Sequence, residues 1–309
     1  MFQRILVPLD GSALAEKALP YAVELAKASS GRLMLLQATE IHGVAGTIPS
    51  LAQQQAVEQA ERNMGAVADR LSDGGLKVEP YAFLGEAAEA IAEEAALRRA
   101  DAIVMSTHGR SGIGRWIYGS VAQGVLQRSS VPVLLVPASC QTAWLGEQER
   151  SVVVALDGSD LAEQALPAAT ELAGRLGASL LLVQVVVPPT PSAYGGTELY
   201  LEVGPDELLQ YAREYLATVE RQLQDKGLRI DSEARLGAPS ITIARIAFER
   251  NAWAIAMASH GRGGIARAVM GSVANGVVHY SPVPVLVTRP QQATAKVRAK
   301  AHRRALASI

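Results

Sequence analysis

The chain has 309 residues, of which 49% are hydrophobic and 19% charged, and its formal net charge is -1. This length suffices for two ordinary domains with separate cores. The composition argues against a disordered chain, and the small net charge argues against a generally basic surface for nucleic acid. The single cysteine, Cys140, excludes an internal disulfide and is typical of a reducing compartment.

The first apolar segment, residues 5–7, begins almost at the start of the sequence. It lacks the basic start, long apolar stretch and small-residue cleavage site of a signal peptide. The most apolar run, residues 180–187, contains Gln184 and stops at Pro188, so it is too short to span a bilayer. We therefore expect a cytoplasmic protein without membrane association.

Five short apolar runs in the first half predict buried strands, at residues 5–7, 33–36, 78–83, 102–105 and 131–136. Longer stretches rich in Ala, Glu and Leu lie between them and predict helices at residues 13–28, 51–71 and 86–98. The strands are apolar without alternation, as expected where helices cover both faces of a sheet. Alternating strands and helices predict parallel strands with right-handed crossovers.

The second half repeats the first from residue 152 to residue 287. The segment Leu9-Asp10-Gly11-Ser12 recurs as Leu156-Asp157-Gly158-Ser159, 147 positions later. The segment Gly119-Ser120-Val121-Ala122 recurs as Gly271-Ser272-Val273-Ala274, 152 positions later. The difference of five residues places an insertion in the second half, and its Pro- and Gly-rich residues 188–204 are the obvious site. A period of this length indicates a duplicated domain.

The sequence therefore predicts an α/β fold of two tandem, doubly wound, five-stranded parallel sheets. We expect the first domain at residues 1–138 and the second at residues 150–290. Residues 291–309 carry five Lys and Arg side chains and no acidic residue. We interpret this tail as a solvated basic extension rather than a nucleic-acid or membrane arm.

A glycine-rich segment follows the fourth strand of each half, at the sheet edge where doubly wound folds bind ligands. Gly109 and Gly119 enclose nine residues, and Gly261 and Gly271 repeat that spacing. Glycine lets backbone N–H groups approach an anion without an intervening Cβ. A structural loop with tight turns is the alternative, and the duplicated spacing favours the anion-binding interpretation.

A helix is expected to begin after this segment, with Ser120 as its cap and Val121 and Val125 on its inner face. Its free N–H groups and positive dipole end would meet a phosphate. Arg110 and Arg262 would add charge-assisted contacts.

Better-known motifs do not fit this segment. Residues 114–120 have P-loop glycine spacing, but Ser120 stands where that motif needs Lys. A dinucleotide fingerprint is absent, because position 117, where the third glycine would follow Gly112 and Gly114, is Ile117 and the segment does not follow the first strand. The sequence also has no His and Cys cluster with metal-ligand spacing. We interpret His108 and His260 as loop residues that hydrogen-bond locally.

Asp10 and Asp157 follow the first strand of each half. One interpretation is a helix N-cap. The other is a hydrogen bond to a ribose hydroxyl, which acidic residues at strand ends often make. The residues alone leave both open.

With these features the chain resembles the universal stress protein family, in its tandem two-domain form, over nearly all of residues 1–290. The family signature after strand four is Gly-x-x-Gly, nine residues, then Gly-Ser or Gly-Thr. Here it reads Ser106-x-x-Gly109-x9-Gly119-Ser120 and Ala258-x-x-Gly261-x9-Gly271-Ser272. The first signature glycine is therefore replaced in both halves, which adds a Cβ near the expected path of the ligand.

The resemblance implies a Rossmann-like fold of the adenine nucleotide α-hydrolase-like group with an ATP site in each half, with or without Mg. Asp10 and Asp157 would face the ribose, and the backbone at Ala38 and Val185 would meet the adenine edge. The other expected site residues of the first half are Pro8, Leu9, Met105, Ser106, Gly109, Arg110, Gly119, Ser120, Val121 and Ala122. Those of the second half are Ala155, Leu156, Met257, Ala258, Gly261, Arg262, Gly271, Ser272, Val273 and Ala274.

Members of this family commonly pair through the fifth strand. Residues 131–136 and 283–287 are thus expected to pair within one chain and to shield each other's edges. A homodimer is a further expected assembly.

The leading hypothesis is an ATP-binding stress-response sensor or adaptor, not an enzyme, with slow or no ATP hydrolysis. The sequence offers no metal cage, Lys or positioned base for phosphoryl transfer. The alternative is an ATP-independent interaction module in which Ser106 and Ala258 close degenerate sites. An α-hydrolase-like enzyme is disfavoured, because Asp10-Gly11-Ser12 stands where a Ser-Gly-Gly-x-Asp-Ser loop is needed.

Overall fold

The computed structural model describes residues 1–39, 51–107, 119–140, 150–188, 204–260 and 270–289. The first half contains strands β1 (Arg4–Pro8), β2 (Arg32–Thr39), β3 (Lys77–Leu84), β4 (Ala102–Ser106) and β5 (Val133–Val136). Its helices are α1 (Ala13–Glu16), α2 (Leu19–Ala28), α3 (Leu51–Ser72), α4 (Ala87–Leu97) and α5 (Ser120–Arg128).

The second half repeats this order. Its strands are β6 (Ser151–Leu156), β7 (Ser179–Val186), β8 (Ile230–Leu236), β9 (Ala252–Ala258) and β10 (Val285–Thr288). Its helices are α6 (Asp160–Glu163), α7 (Leu166–Leu176), α8 (Pro205–Leu223), α9 (Pro239–Glu249) and α10 (Ser272–Tyr280), with a 3-10 turn at Gln224–Lys226. None of the described helices combines the length and the apolarity needed to cross a bilayer.

The strands form one sheet in the order β3-β2-β1-β4-β5-β10-β9-β6-β7-β8. All pairs within each half are parallel. Strand order reverses between β1 and β4 in the first half and between β6 and β9 in the second. These reversals create a crevice at the carboxyl ends of the strands. The predicted doubly wound α/β class is confirmed.

The two halves join through β5 and β10, which pair antiparallel. Val133 lies opposite Val287, Leu134 opposite Leu286, and Leu135 opposite Val285. All these side chains are buried. The pairing gives each edge strand a partner, so neither β5 nor β10 exposes unpaired backbone groups along this side.

Helices cover both faces of the sheet and define two apolar cores. On one face, residues of α2, α3, α7 and α8 pack against the sheet, with Tyr21, Leu25, Met64, Leu172 and Leu216 among the buried side chains. On the other face, α4, α5, α9 and α10 contribute Ile91, Val125, Ile243 and Val277. This three-layer packing explains why the inner strands are apolar on both faces, whereas the edge strands β3 and β8 are partly exposed.

Neighbouring helices on this face of the sheet approach each other closely at glycine residues. Gly276 of α10 packs against Ser240 of α9, and a Cβ built on Gly276 would lie 2.5 Å from the Ser240 Cβ. Gly124 of α5 packs in the same way against Ala88 of α4, where the corresponding distance is 2.4 Å. Both glycines are therefore needed for helix packing and not for backbone conformation.

A polar contact connects the two halves beside the sheet. The Trp253 Nε1–H donates a hydrogen bond to Glu24 Oε2 at 2.8 Å, and Arg150 forms an ion pair with the same carboxylate. The Tyr21 ring meets Trp253 edge to face, with centroids 5.6 Å apart. The Glu24 carboxylate of the first half thus binds both Trp253 and Arg150 of the second half.

The prediction of one helix over residues 13–28 is wrong, because α1 ends at Glu16 and α2 begins at Leu19. Pro20 lies in the first turn of α2, where its missing N–H costs nothing, whereas inside a continuous helix it would remove a hydrogen bond. Pro167 occupies the same place in α7. The predicted insertion, residues 188–204, lies almost entirely outside the described residues.

Candidate functional site

One aspartate shapes the turn after the first strand of each half. Asp157 Oδ1 accepts hydrogen bonds from the Ser159 N–H at 3.0 Å and from the Ser159 hydroxyl at 2.6 Å. Asp10 Oδ1 accepts the equivalent bond from the Ser12 N–H at 2.9 Å. The intervening glycines have φ of 81° and 79°, a conformation that favours glycine. Each carboxylate is therefore held at the carboxyl end of its strand.

The helix-cap interpretation of Asp10 and Asp157 is wrong, because the following serines are the caps. Ser12 Oγ accepts a hydrogen bond from the Ala15 N–H at 3.1 Å, and Ser159 Oγ makes the equivalent bond at 3.2 Å. Asp10 and Asp157 thus hydrogen-bond to the capping serines, and they are not themselves helix caps.

Helices α5 and α10 begin with a glycine cap that makes no side-chain hydrogen bond. The first bonds within the helices run from Gln123 N–H to Gly119 O at 3.0 Å and from Asn275 N–H to Gly271 O at 2.9 Å. The three N–H groups between cap and first bond have no acceptor in their own helix. An anion at either helix start would meet these donors and the positive end of the dipole.

The prediction that Ser120 caps α5 is wrong by one residue, because Gly119 is the cap. Gly119 and Gly271 have φ of -64° and -65°, which any residue can adopt. A Cβ at Gly119 would lie 3.4 Å from Thr107 O, and one at Gly271 would lie 3.6 Å from Ser259 O. The protein itself therefore has room for a Cβ at these positions, and glycine keeps the space in front of each helix open.

Both ends of the glycine-rich segment are fixed at the sheet edge. The Gly119 N–H donates to Thr107 O at 2.7 Å, and the Gly271 N–H donates to Ser259 O at 2.8 Å. Four predicted site residues between these ends lie outside the described residues, namely Gly109, Arg110, Gly261 and Arg262, and so does His108.

A cavity of about 350 Å³ lies between the end of β6 and the start of α10. It falls at the strand-order reversal of the second half, and its size is within the range of small-molecule sites. Every second-half site residue predicted from sequence that the structure describes lines it. These are Ala155, Leu156, Asp157, Val185, Met257, Ala258, Gly271, Ser272, Val273 and Ala274.

The cavity has apolar walls and few polar groups. Val185, Ile243 and Met257 contribute apolar surface, whereas Asp157 is the one carboxylate among the lining residues that the structure describes. His260 Nδ1 lies 3.1 Å from Ser259 Oγ, so this histidine hydrogen-bonds to its neighbour as predicted. The arrangement can hold a flat apolar ring, a hydroxyl near the carboxylate and an anion at the helix start.

Sequence reasoning missed six residues that line the cavity. They are Ala162, Pro239, Ile243, Ser259, His260 and Met270. Pro239 and Ile243 lie four positions apart on α9, so they face the same direction. That helical spacing is visible in the sequence. The motifs at the strand ends and in the glycine-rich segment, however, do not indicate that α9 forms one wall of the cavity.

The first half places its predicted residues at the equivalent edge. Pro8, Leu9 and Asp10 lie at the end of β1, Ala38 in β2, Met105 and Ser106 at the end of β4, and Gly119, Ser120, Val121 and Ala122 at the start of α5. Ser106 is buried and brings a hydroxyl where the second half has the apolar Ala258. The edges correspond in position but differ in chemistry.

The described residues contain no group of three or more His, Cys, Asp or Glu side chains that could hold a metal ion.

The fold and the site define a duplicated, doubly wound α/β protein with a cavity at the strand reversal of its second half. The universal stress protein family model matches residues 1–137 and 149–289. The chain belongs to the universal stress protein family, and it carries two such domains in tandem.

Individual relatives agree with this assignment. A universal stress protein of Mycolicibacterium smegmatis is 26% identical over 300 residues, which cover 93% of this chain and 97% of that protein. One from Methanocaldococcus jannaschii is 28% identical over 141 residues, 44% of this chain and 82% of that protein. The crystal structure of a universal stress protein from Archaeoglobus fulgidus superposes with a TM-score of 0.71 at 24% identity, covering 94% and 99% of the two chains.

Proposed function

We propose that the chain binds ATP in the second-half cavity and acts as a nucleotide-responsive sensor or adaptor with slow or no hydrolysis. The observation that carries the proposal is the cavity, because one space brings together a carboxylate, apolar walls and a helix start with free N–H groups. The family resemblance supports the choice of ATP among nucleotides.

Each part of the nucleotide has a proposed place. The adenine ring lies against Val185 and Met257, where apolar walls favour a flat ring. The ribose hydroxyls donate to Asp157. The phosphates lie in front of Gly271 and Ser272, where backbone N–H groups and the dipole stabilise negative charge.

A second nucleotide is proposed for the first half, with Asp10, Ala38 and the start of α5 in the same roles. Ser106 replaces Ala258, and Pro8 replaces Ala155. Because these changes alter polarity and backbone donors beside the ligand, we expect the two affinities to differ.

The sensor or adaptor role is proposed because the described lining residues suit binding better than turnover. Asp157 accepts hydrogen bonds from Ser159, and His260 Nδ1 lies within hydrogen-bond distance of Ser259 Oγ, so both side chains are engaged within the protein. Mg, where present, would enter with the phosphates, and its role there would be to neutralise their charge.

Calorimetric titration with ATP, ADP, AMP and cyclic AMP tests the proposal, together with chromatography of nucleotides released on denaturing the purified protein. We expect saturable binding of an adenine nucleotide, strongest for ATP. The absence of both released nucleotide and binding heat at millimolar ATP would refute the proposal and leave the ATP-independent module in its place.

Two variants localise the binding. Asp157→Asn keeps an oxygen for the turn but removes the charge that receives the ribose, and Gly271→Val fills the phosphate space. Each should weaken ATP binding at least tenfold without a change in melting temperature. The matched variants Asp10→Asn and Gly119→Val report on the first half, so that one-site and two-site binding are distinguished by stoichiometry.

A further inference from the structure

A second cleft, of about 310 Å³, lies on the second half between α7 and the turn that follows α8, and is named the α7 cleft below. It is lined by Thr170, Glu171, Gly174 and Arg175 of α7 and by Lys226 and Leu228 after α8. None of these six residues lines the cavity proposed for ATP. The α7 cleft is therefore separate from that cavity, and the duplication provides the same place in the first half for comparison.

The backbone follows the same path at this place in both halves. Gly177 and Ser30, just beyond the equivalent helices α7 and α2, have φ of 61° and 47°. Gly227 and Gly75, in the turns after α8 and α3, have φ of 68° and 74°. Differences between the halves at the α7 cleft therefore come mainly from side chains.

The gap results from a glycine, because Gly174 occupies the position of Lys27, 147 residues earlier. Lys226 in turn occupies the position of Gly74, 152 residues earlier. In the first half Lys27 reaches the turn, since a Cβ built on Gly74 would lie 3.3 Å from Lys27 Nζ. In the second half Lys226 does not reach back, since a Cβ built on Gly174 would meet, among the described residues, a Leu228 methyl carbon at 3.9 Å and nothing closer. The first half thus fills this place with a side chain, and the second half leaves it open.

A hydroxyl without a partner accompanies the gap. Thr170 stands where the first half has Val23, and its Oγ1 is buried without a hydrogen bond to any described residue. Valine branches at Cβ in the same way, so packing at this place does not require a hydroxyl. A buried hydroxyl without a partner destabilises the folded chain. Because Thr170 lines the α7 cleft, rotation about χ1 brings this hydroxyl to a ligand there.

The α7 cleft carries one cation without a counter-charge. Glu171 Oε1 accepts hydrogen bonds from the Met1 amino group at 3.1 Å and from Arg175 Nε at 3.0 Å. These bonds hold the pKa of Glu171 below its ordinary value and neutralise its charge within the protein. Lys226 is exposed and forms no ion pair with the residues that the structure describes. The electrostatics of the cleft therefore favour an anion.

The end of α7 does not strongly oppose an anion. Free carbonyl groups at a helix end repel negative charge. Here the Ala178 N–H donates to Ala173 O at 2.9 Å, and the Gly177 N–H donates to Gly174 O at 3.4 Å. Two of the last carbonyl groups are thus occupied by the turn that closes the helix.

We propose that the α7 cleft binds a small organic anion, a carboxylate or a phosphate monoester on a short apolar chain. The Lys226 ammonium and the Thr170 hydroxyl donate to the oxygens of the anionic group. The apolar chain lies in the space beside Gly174 and against Leu228. The first half has neither this space nor the hydroxyl, so one such anion binds per chain. Binding does not require nucleotide, because the α7 cleft and the ATP cavity share no lining residue.

Saturation-transfer NMR on the full chain tests the proposal with butyrate, butyl phosphate and butylamine, each with and without millimolar ATP. We expect saturable binding of the two anions, with a dissociation constant of about 1–10 mM because the ligands are small. The tighter of the two shows which anionic group the cleft prefers. Butylamine should not bind, and ATP should displace neither anion. No saturable binding of either anion, equal binding of butylamine, or displacement of both anions by ATP would overturn the proposal.

Three variants localise this binding. Gly174→Met fills the gap with an uncharged side chain about as long as Lys27, and a good helix former at this position should not lower the melting temperature. It should weaken binding of the preferred anion at least tenfold. Lys226→Gln and Thr170→Val should each weaken it at least threefold. The matched control Lys27→Met, in the first half, should bind like wild type. A Gly174→Met variant that melts and binds like wild type would contradict the proposed place of the ligand.

Discussion

Leu134 and Leu286 occupy equivalent positions of the two halves, 152 residues apart, and lie directly opposite each other at the β5–β10 junction. The pseudo-two-fold axis of the duplicated chain therefore passes beside this pair. Neither side chain is accessible to solvent. The junction continues the core from one half into the other, so the halves should unfold as a coupled unit.

Replacing either leucine by alanine tests that coupling. Leu134→Ala and Leu286→Ala should each lower the free energy of unfolding by about 2–5 kcal/mol, because each leaves a cavity in packed surroundings. Urea unfolding followed by circular dichroism measures the effect. The exposed Leu97→Ala should change stability by no more than about 0.5 kcal/mol. A separate early transition for one half would contradict the coupled junction.

Glu24 should matter more than its counterpart Glu171, 147 residues later. Glu24→Ala leaves the Trp253 N–H and Arg150 without their shared acceptor, and should cost about 1–3 kcal/mol. Glu171 pairs with Arg175 and the Met1 amino group at the surface, so Glu171→Ala should cost less than about 1 kcal/mol. Thermal unfolding of both variants decides the order. Equal losses would show that the Glu24 contact adds nothing beyond a surface ion pair.

Two glycines of the second half should respond in opposite ways to alanine. Gly276→Ala places a Cβ 2.5 Å from that of Ser240, and overpacking of about 1–3 kcal/mol should outweigh the gain in helix propensity of about 1 kcal/mol. Gly271→Ala meets only ordinary contacts and should leave stability nearly unchanged while weakening ATP binding. Melting temperature and calorimetry together separate the packing role from the ligand role. A stabilised Gly276→Ala variant would contradict the close helix contact.

The thiol of Cys140 should be unreactive in the folded protein. Burial raises the pKa of this thiol to about 12, so the reactive thiolate is scarce between pH 7 and pH 9. Labelling with a chromogenic disulfide should be slow in this range and rapid in denaturant. Fast labelling of the folded chain at pH 8 would show that Cys140 is accessible.

The class of fold could be predicted because the inner strands are apolar on both faces and the two halves repeat each other. The break between α1 and α2 was missed because the helical composition of residues 13–28 masks the effect of Pro20, which ends one helix and begins another. The repeated apolar strands are a strong sequence signal for the fold class. A single proline is a weak signal for the break between two helices.

The site could be predicted largely through the duplicated motifs. The ten described second-half residues fall on one cavity because strand ends and helix starts share an edge in this topology. The wall formed by Pro239 and Ile243 depends on how α9 packs over the sheet, which no motif encodes. The roles of Asp157 and Ser159 depend on turn geometry, because either residue type can cap a helix.

The central claim is that the second-half cavity holds ATP, and calorimetric titration of the wild type beside Gly271→Val tests it most directly. We expect saturable ATP binding by the wild type and at least a tenfold loss in a variant that melts at the same temperature. Equal ATP binding by the two proteins, or no binding by the wild type at millimolar ATP, would contradict the claim.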